Sequence, residues 1–242
     1  SSYHACLYGQ YLLAQQGILA HAVIASEGSS TLGIITDKTV IIVLSQSGET
    51  IDVLDYVQSA RAKDAYVITL TNVQYSSLDR LANIGIQLGV GVEVAVASTK
   101  AFIFMQLFFV RLISAISHVD LSTTFAQYDR ALSRLYGKAG KTAVKKVVKS
   151  LVPYSHLFVV TIGDLLPLGY EAALKFKEIG YLHAENIVSG ELKHGPLALI
   201  EKGTLCLVIN KESSHDTDHT IAEIKAREGR VIEINLPELG LF

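Results

Sequence analysis

Thr39-Val40-Ile41-Ile42-Val43-Leu44-Ser45-Gln46-Ser47-Gly48-Glu49-Thr50 is the stretch that decides the fold. Its first half is an uninterrupted apolar, β-branched run, the pattern of a strand buried on both faces. Its second half, Ser45 to Thr50, is a polar loop, and Ile51 to Ala62 then reads as a helix with Val53, Leu54, Val57 and Ala60 on its apolar side. The loop therefore lies at a strand's carboxyl end and a helix's amino end. There backbone N–H groups and the helix dipole favour an anion, and there open α/β sheets bind ligands. Ser45, Ser47 and Thr50 offer hydroxyl donors and Gly48 allows close backbone approach, a design that suits a phosphate monoester without a lysine. Taken alone, the same loop also reads as a helix N-cap.

Working outward, short apolar runs at Ala65 to Thr71, Ile84 to Val90, His156 to Thr161, Thr204 to Asn210 and Arg230 to Leu236 alternate with longer helical patterns. Alternation of this kind predicts parallel strands joined by crossover helices on both faces of a sheet. Val40 to Leu44, a polar loop, a helix ending near Lys63 and Tyr66 to Leu70 match a later series in order. That series is Leu205 to Ile209, a polar loop, a helix ending near Gly229 and Val231 to Ile234, so the chain reads as a duplicated α/β domain. The later loop, Lys211-Glu212-Ser213-Ser214-His215-Asp216, is acidic and lacks the glycine, so only the first copy is expected to bind phosphate. Asp120 to Ser150 has helical composition, and Lys138, Lys141, Lys145, Lys146 and Lys149 read as the solvated face of a linking helix. The expected division is 1–120 for the first domain, 121–151 for a helical linker and 152–242 for the second domain.

The chain has 242 residues, 50% of them hydrophobic and 18% charged, with a formal net charge of -2, the balance of a globular protein. No basic surface points to nucleic acid. Cys6 and Cys206 form no metal-ligand pattern and read as small buried residues in a reducing compartment, so no metal and no cofactor are expected. Ser1-Ser2-Tyr3-His4 has no signal-peptide character, and the cytoplasm is the expected location. Ala101 to Ser117 is strongly apolar but carries Gln106 and Arg111, and reads as a buried core helix and not a membrane span.

In Gly169 to Tyr181 a helix puts Glu171, Lys175 and Glu178 on one face, either as a surface ion-pair ladder or as catalytic groups. Downstream, Gly190-Glu191-Leu192-Lys193-His194-Gly195-Pro196 holds a histidine in a constrained loop. Together with Ser2-Tyr3-His4-Ala5, Ser45 to Thr50, Val96-Ala97-Ser98-Thr99-Lys100-Ala101-Phe102 and Leu174-Lys175-Phe176-Lys177-Glu178-Ile179, these motifs stand in the order of one known family. The chain resembles the isomerase part of glutamine:fructose-6-phosphate aminotransferases, also called glucosamine-6-phosphate synthases. The resemblance implies two tandem sugar isomerase (SIS) domains, each a doubly wound, mostly parallel sheet. It implies that Ser2, Ser45, Gln46, Ser47 and Thr50 hold the phosphate of fructose 6-phosphate, that Ser1 takes the family's neighbouring threonine position, and that Val96 and Ser98 line the sugar. Glu178 would move a proton between C1 and C2, and Lys175 would support the open-chain sugar. His194 would assist ring opening from a neighbouring subunit, which makes a homodimer the expected assembly. The product would be glucosamine 6-phosphate, with ammonia from a glutaminase domain of the full-length protein.

The sequence departs from the family pattern at three places. It begins at Ser1, inside the first motif, which predicts an incomplete edge of the first sheet. It ends at Phe242, before the family's tail with its Schiff-base lysine. Ala95 replaces a glycine before Val96. Two alternatives stay open: a non-catalytic sugar-phosphate-binding SIS module, and another SIS ketose-aldose isomerase or deglycase.

Overall fold

The computed structural model describes residues 1–211 and 214–235. The chain divides into two compact units, Ser1–His118 and a second that begins at Val119.

In the first unit, helix α1 (Ser2–Gln15) is followed by a 3-10 helix (Ala25–Ile34), strand β1 (Val40–Ser45), α2 (Ile51–Arg61), β2 (Tyr66–Thr71), α3 (Ser77–Leu81), β3 (Ile84–Gln87) and α4 (Lys100–Ser117). The strands form one parallel sheet in the order β1-β2-β3, with Leu44 opposite Leu70 and Ile68 opposite Ile84. Alternate strand residues feed cores on opposite faces. Leu44 and Leu70 pack with Ala5, Ala101, Phe102, Met105 and Phe109 of α1 and α4, whereas Val43 and Val67 pack with Val57 and Leu78 of α2 and α3. Each such aliphatic side chain contributes about 1.5–3 kcal/mol when taken fully out of water, which is why a strand that is apolar at every position specifies a two-sided sheet. Among the described residues β1 pairs only with β2.

The second unit contains α5 (Ser122–Tyr136), α6 (Lys138–Leu151), β4 (His156–Thr161), α7 (Leu166–Gly180), β5 (His183–Val188), β6 (Leu205–Asn210), α8 (His215–Ala226) and β7 (Arg230–Asn235). Its parallel sheet runs β5-β4-β6-β7. Leu157 and Val159 pack toward Leu151 and Ala173 of α6 and α7, and Phe158 and Val160 toward Ile221 and Ile224 of α8. Both units are thus doubly wound α/β layers, and the expected correspondence of β1-α2-β2 with β6-α8-β7 is present in order and in parallel pairing.

Three expectations change in detail. Strand β5 is absent from the sequence reading because its polar positions, His183, Glu185 and Asn186, interrupt the apolar run at the edge of a sheet. The run Ile84 to Val90 yields a shorter strand. Leu88 N–H still donates to the Thr71 carbonyl at 2.8 Å, but Gly89 and Gly91, at φ +67° and +69°, turn the chain away. Helix α4 is long and apolar enough to cross a membrane by length and composition alone, yet it is only half a core helix: Ala101, Phe102, Met105 and Phe109 are buried while Ile103 and Phe104 are 52% and 45% exposed. Leu236 and the residues after it, like Glu212 and Ser213 of the second loop, lie outside the described residues.

Candidate functional site

The loop after β1 is held open by its own side chains. Ser45 is buried, and its hydroxyl accepts from Gly48 N–H at 3.0 Å, while Ser47 Oγ accepts from Glu49 N–H at 3.2 Å. Gly48 has φ +70°, and a Cβ there would lie 2.2 Å from Ser76 Oγ, so the position admits only glycine without displacement. Its carbonyl accepts from Leu78 N–H at 3.1 Å, and Glu49 Oε1 accepts from Ser77 N–H at 2.7 Å, which stitches the loop to α3. Bonding to Ser77 keeps the Glu49 carboxyl below its usual range. Thr50 occupies the N-cap position of α2, but its side chain makes no cap hydrogen bond. The hydroxyl that the simplest reading assigns to helix capping is therefore not used for it.

The counterpart loop in the second unit is built the opposite way. Ser214 caps α8, its hydroxyl accepting from Thr217 N–H at 3.2 Å, and Asp216 and Asp218 fill the first turn. Lys211 is paired with Asp164. The first turn of α8 thus carries two carboxylates against the single Asp52 of α2, and its cap hydroxyl is already in use.

On α7, Lys175 Nζ lies 3.1 Å from Glu171 Oε1 and 2.7 Å from Glu178 Oε2. The ladder predicted from spacing exists, but it is sheltered, with side-chain exposures of 5% for Glu171, 20% for Lys175 and 25% for Glu178. Desolvation works to lower the Lys175 pKa, but the two carboxylates outweigh it and hold the ammonium above its usual range. The histidine loop is anchored by Leu192, which is fully buried, by Ser189 Oγ and Thr220 Oγ1 at 2.6 Å, and by Lys193 on Glu223 at 3.2 Å. His194 ends the 3-10 turn Ser189–His194 on the surface, followed by Gly195 at φ +141°.

The SIS domain family matches residues 1–115 and again 150–236. The chain belongs to the SIS domain family. It is 34% identical over 251 residues to the isomerising glutamine–fructose-6-phosphate aminotransferase of Aeropyrum pernix, covering 100% of this chain and 41% of that protein. It is 36% identical over 243 residues to the same-named protein of Wigglesworthia glossinidia brevipalpis, covering 96% and 40%. The C-terminal domain of glucosamine-fructose-6-phosphate aminotransferase from Francisella tularensis superimposes with a TM-score of 0.82 at 29% identity, covering 98% of this chain and 71% of that one. The SIS chain spans about two fifths of the length of the aminotransferases it matches.

Within the first unit of this SIS chain, Ser45, Gln46, Ser47 and Thr50 share one loop, and Asn72 links it to a second. Asn72 N–H donates to the Gln46 carbonyl at 3.0 Å, its Nδ2 donates to the Gly91 carbonyl at 2.7 Å, and its Oδ1 accepts from Val90 N–H at 3.1 Å. The second loop carries Val96 and Ser98. Ser1 is the N-cap residue of α1 and Ser2 its first residue, both half-buried. In the second unit Glu178 and Lys175 are in direct contact, and His194 lies on the separate turn after β5. Ala95 is not among the residues at positive φ, so its methyl strains no backbone. Burial raises both thiols, Cys6 and Cys206, to about 12, as expected of structural cysteines and not of nucleophiles.

Two carboxylates shape these sites beyond the residues to which the resemblance gives a role. Glu171 is 4% exposed and shares Lys175 with Glu178. Glu93 is the lone charge in the apolar run Val90 to Ala97, and that isolation was the available signal. Its Oε1 accepts from Thr99 N–H at 2.9 Å and Lys100 N–H at 2.8 Å, and its Oε2 accepts from Ser98 Oγ at 3.2 Å. Partial desolvation pushes its pKa up, but the backbone donors of Thr99, Lys100 and Ala101 and the Ser98 hydroxyl outweigh it and lower the value. The group therefore favours the folded loop above the ordinary glutamate range, and that preference is lost as pH falls through the depressed folded value.

Proposed function

We propose that this chain is the sugar-phosphate isomerase part of a glucosamine-6-phosphate synthase. In this reading the Ser45–Thr50 loop, with Ser1 and Ser2, receives the phosphate of fructose 6-phosphate, and Val96 and Ser98 line the sugar. The observation that carries it is the contrast between the two loops: Thr50 stands at the amino end of α2 without capping it, whereas Ser214 caps α8. The isomerising aminotransferases similar to this chain supply the substrate class. Glu178 would take a proton from one of the two carbons C1 and C2 and return it to the other. Lys175, 2.7 Å from Glu178, would offset negative charge that develops on the substrate oxygens. His194 would assist ring opening in the site of a second subunit of a homodimer, and a glutaminase domain of a longer protein would supply ammonia. Glucosamine 6-phosphate would be the product.

Incubating the chain with fructose 6-phosphate in deuterated water tests the proton transfer. Deuterium is expected at C1 or C2 in the unaltered chain, and Glu178→Gln is expected to slow its appearance by about 10²–10⁴-fold, the usual contribution of a positioned acid–base group. Binding without exchange would favour the non-catalytic alternative, and exchange unaffected by Glu178→Gln would remove that residue from the proposed role.

A further inference from the structure

We propose that Glu93 is a positioning residue that fixes the loop Val94–Ser98 and sets Ser98 to accept a hydrogen bond from a sugar hydroxyl. The inference rests on the reading of the first unit as a sugar-phosphate site, and it adds the group that separates recognition of the sugar from recognition of the phosphate.

The loop is closed at both ends. At its start Asn72 holds Val90 and Gly91, and through its own N–H the same residue holds Gln46 of the phosphate loop. At its end the Glu93 carboxylate reaches forward to the N–H groups of Thr99 and Lys100 at 2.9 and 2.8 Å. These are donors of the first turn of α4, whose N-cap residue, Thr99, provides no side-chain cap of its own. Lys100 turns back, its ammonium donating to the carbonyls of Val90 and Val92 at 2.8 and 3.2 Å. The result is a ring of backbone from Val90 to Lys100 with its one carboxylate turned inward and Val92, Val94 and Val96 turned out, 81%, 91% and 91% exposed.

Two consequences follow from the chemistry. First, a resident carboxylate occupies the amino end of α4 and closes that helix start to an external anion, which leaves the Ser45–Thr50 loop before α2 for the phosphate. Second, Ser98 Oγ spends its single proton on Glu93 Oε2 at 3.2 Å. A hydroxyl has one donor and two acceptor lone pairs, so Ser98 faces any ligand as an acceptor and favours a group that donates, such as a sugar hydroxyl, over a phosphate oxygen. Glu93 thereby assigns phosphate to one loop and hydroxyls to the other.

Calorimetric titrations of the unaltered chain and of Glu93→Ala with fructose 6-phosphate and with inorganic phosphate separate these roles. Glu93→Ala is expected to weaken fructose 6-phosphate at least tenfold while inorganic phosphate changes by less than twofold. In the same variant, without ligand, the amides of Thr99 and Lys100 are expected to exchange with solvent at least tenfold faster while those of β1 and β2 stay protected. Unchanged affinity for both ligands would overturn the proposal. So would an equal loss for both accompanied by a fall in melting temperature, which would make Glu93 a cap of α4 and nothing more. If the unaltered chain binds neither ligand, the reading of the site itself fails, an outcome visible before any variant is made. Glu93→Gln, which keeps an acceptor for Thr99 and Lys100, is expected to restore slow exchange at those amides, and its failure to do so would also count against the clamp.

Discussion

Gly48→Ala is expected to abolish sugar-phosphate binding and to destabilise the first unit by about 2–5 kcal/mol, summing the left-handed backbone cost with that of overpacking. At φ +70° an alanine is strained whatever surrounds it, and here its Cβ would stand 2.2 Å from Ser76 Oγ and 2.5 Å from Ser76 Cβ. A rotamer change can move the hydroxyl but not the Cβ, so the backbone of one segment must shift. Neither segment is free to do so. Ser76 caps α3 by accepting from Asp79 N–H at 3.4 Å, and Leu78 N–H donates to the Gly48 carbonyl at 3.1 Å. Displacing the loop also misplaces Ser45, whose hydroxyl is aligned by Gly48 N–H. Urea unfolding and calorimetric titration of the variant measure the two effects; retention of both stability and binding would show that the loop's close approach to α3 is not a requirement.

Lys175→Met should destabilise the second unit by about 2–3 kcal/mol at neutral pH, below the range for breaking a fully buried ion pair because the ammonium keeps some solvent contact. The damage arises from Glu171, 4% exposed, which loses the ammonium 3.1 Å away. Adding Glu171→Gln removes the charge that has lost this ammonium and should recover part of the loss, a double-mutant signature that packing of the lysine stem alone would not give. The pH dependence has a definite sign. The folded pKa of Lys175 lies above 10.5, so its stabilisation is fully present below that value and disappears as pH rises through the higher folded value. Wild type and Lys175→Met should therefore differ by a constant amount around neutrality and converge in strong alkali. Loss of C1–C2 proton exchange would accompany the stability change if Lys175 supports the substrate.

Much of this fold is legible in the residues because strands buried on both faces carry an unbroken apolar signal. Val40 to Leu44, His156 to Thr161 and Leu205 to Ile209 each feed two cores, and each became a strand. Legibility fails where one side of an element is uncovered. β5, at the edge of its sheet, mixes Ala184 and Ile187 with exposed His183 and Glu185, and the period dissolves. Helix α4 reads as wholly buried because composition does not say which apolar residues find partners. The polar half of the candidate site divides in the same way. The Ser45–Thr50 loop announces itself by position after a strand, whereas the role of Glu93 depends on a turn that returns it to Thr99 and Lys100, a closure no spacing rule encodes. Spacing alone placed Glu171, Lys175 and Glu178 on one face but left their shelter undecided, and shelter is what distinguishes this triad from a surface ladder.

The proposed function requires the loop from Ser45 to Thr50 to be the phosphate seat of a sugar-phosphate site. Thermal unfolding with and without fructose 6-phosphate tests it most directly, using the unaltered chain and the Ser47→Ala, Thr50→Ala double variant. At ligand a hundredfold above Kd the linkage is about 2.7 kcal/mol, which should raise the melting temperature of the unaltered chain by roughly 5–10 °C, and the double variant should show no rise. No rise with fructose 6-phosphate or any other hexose phosphate in the unaltered chain, or an equal rise in the double variant, would contradict the account.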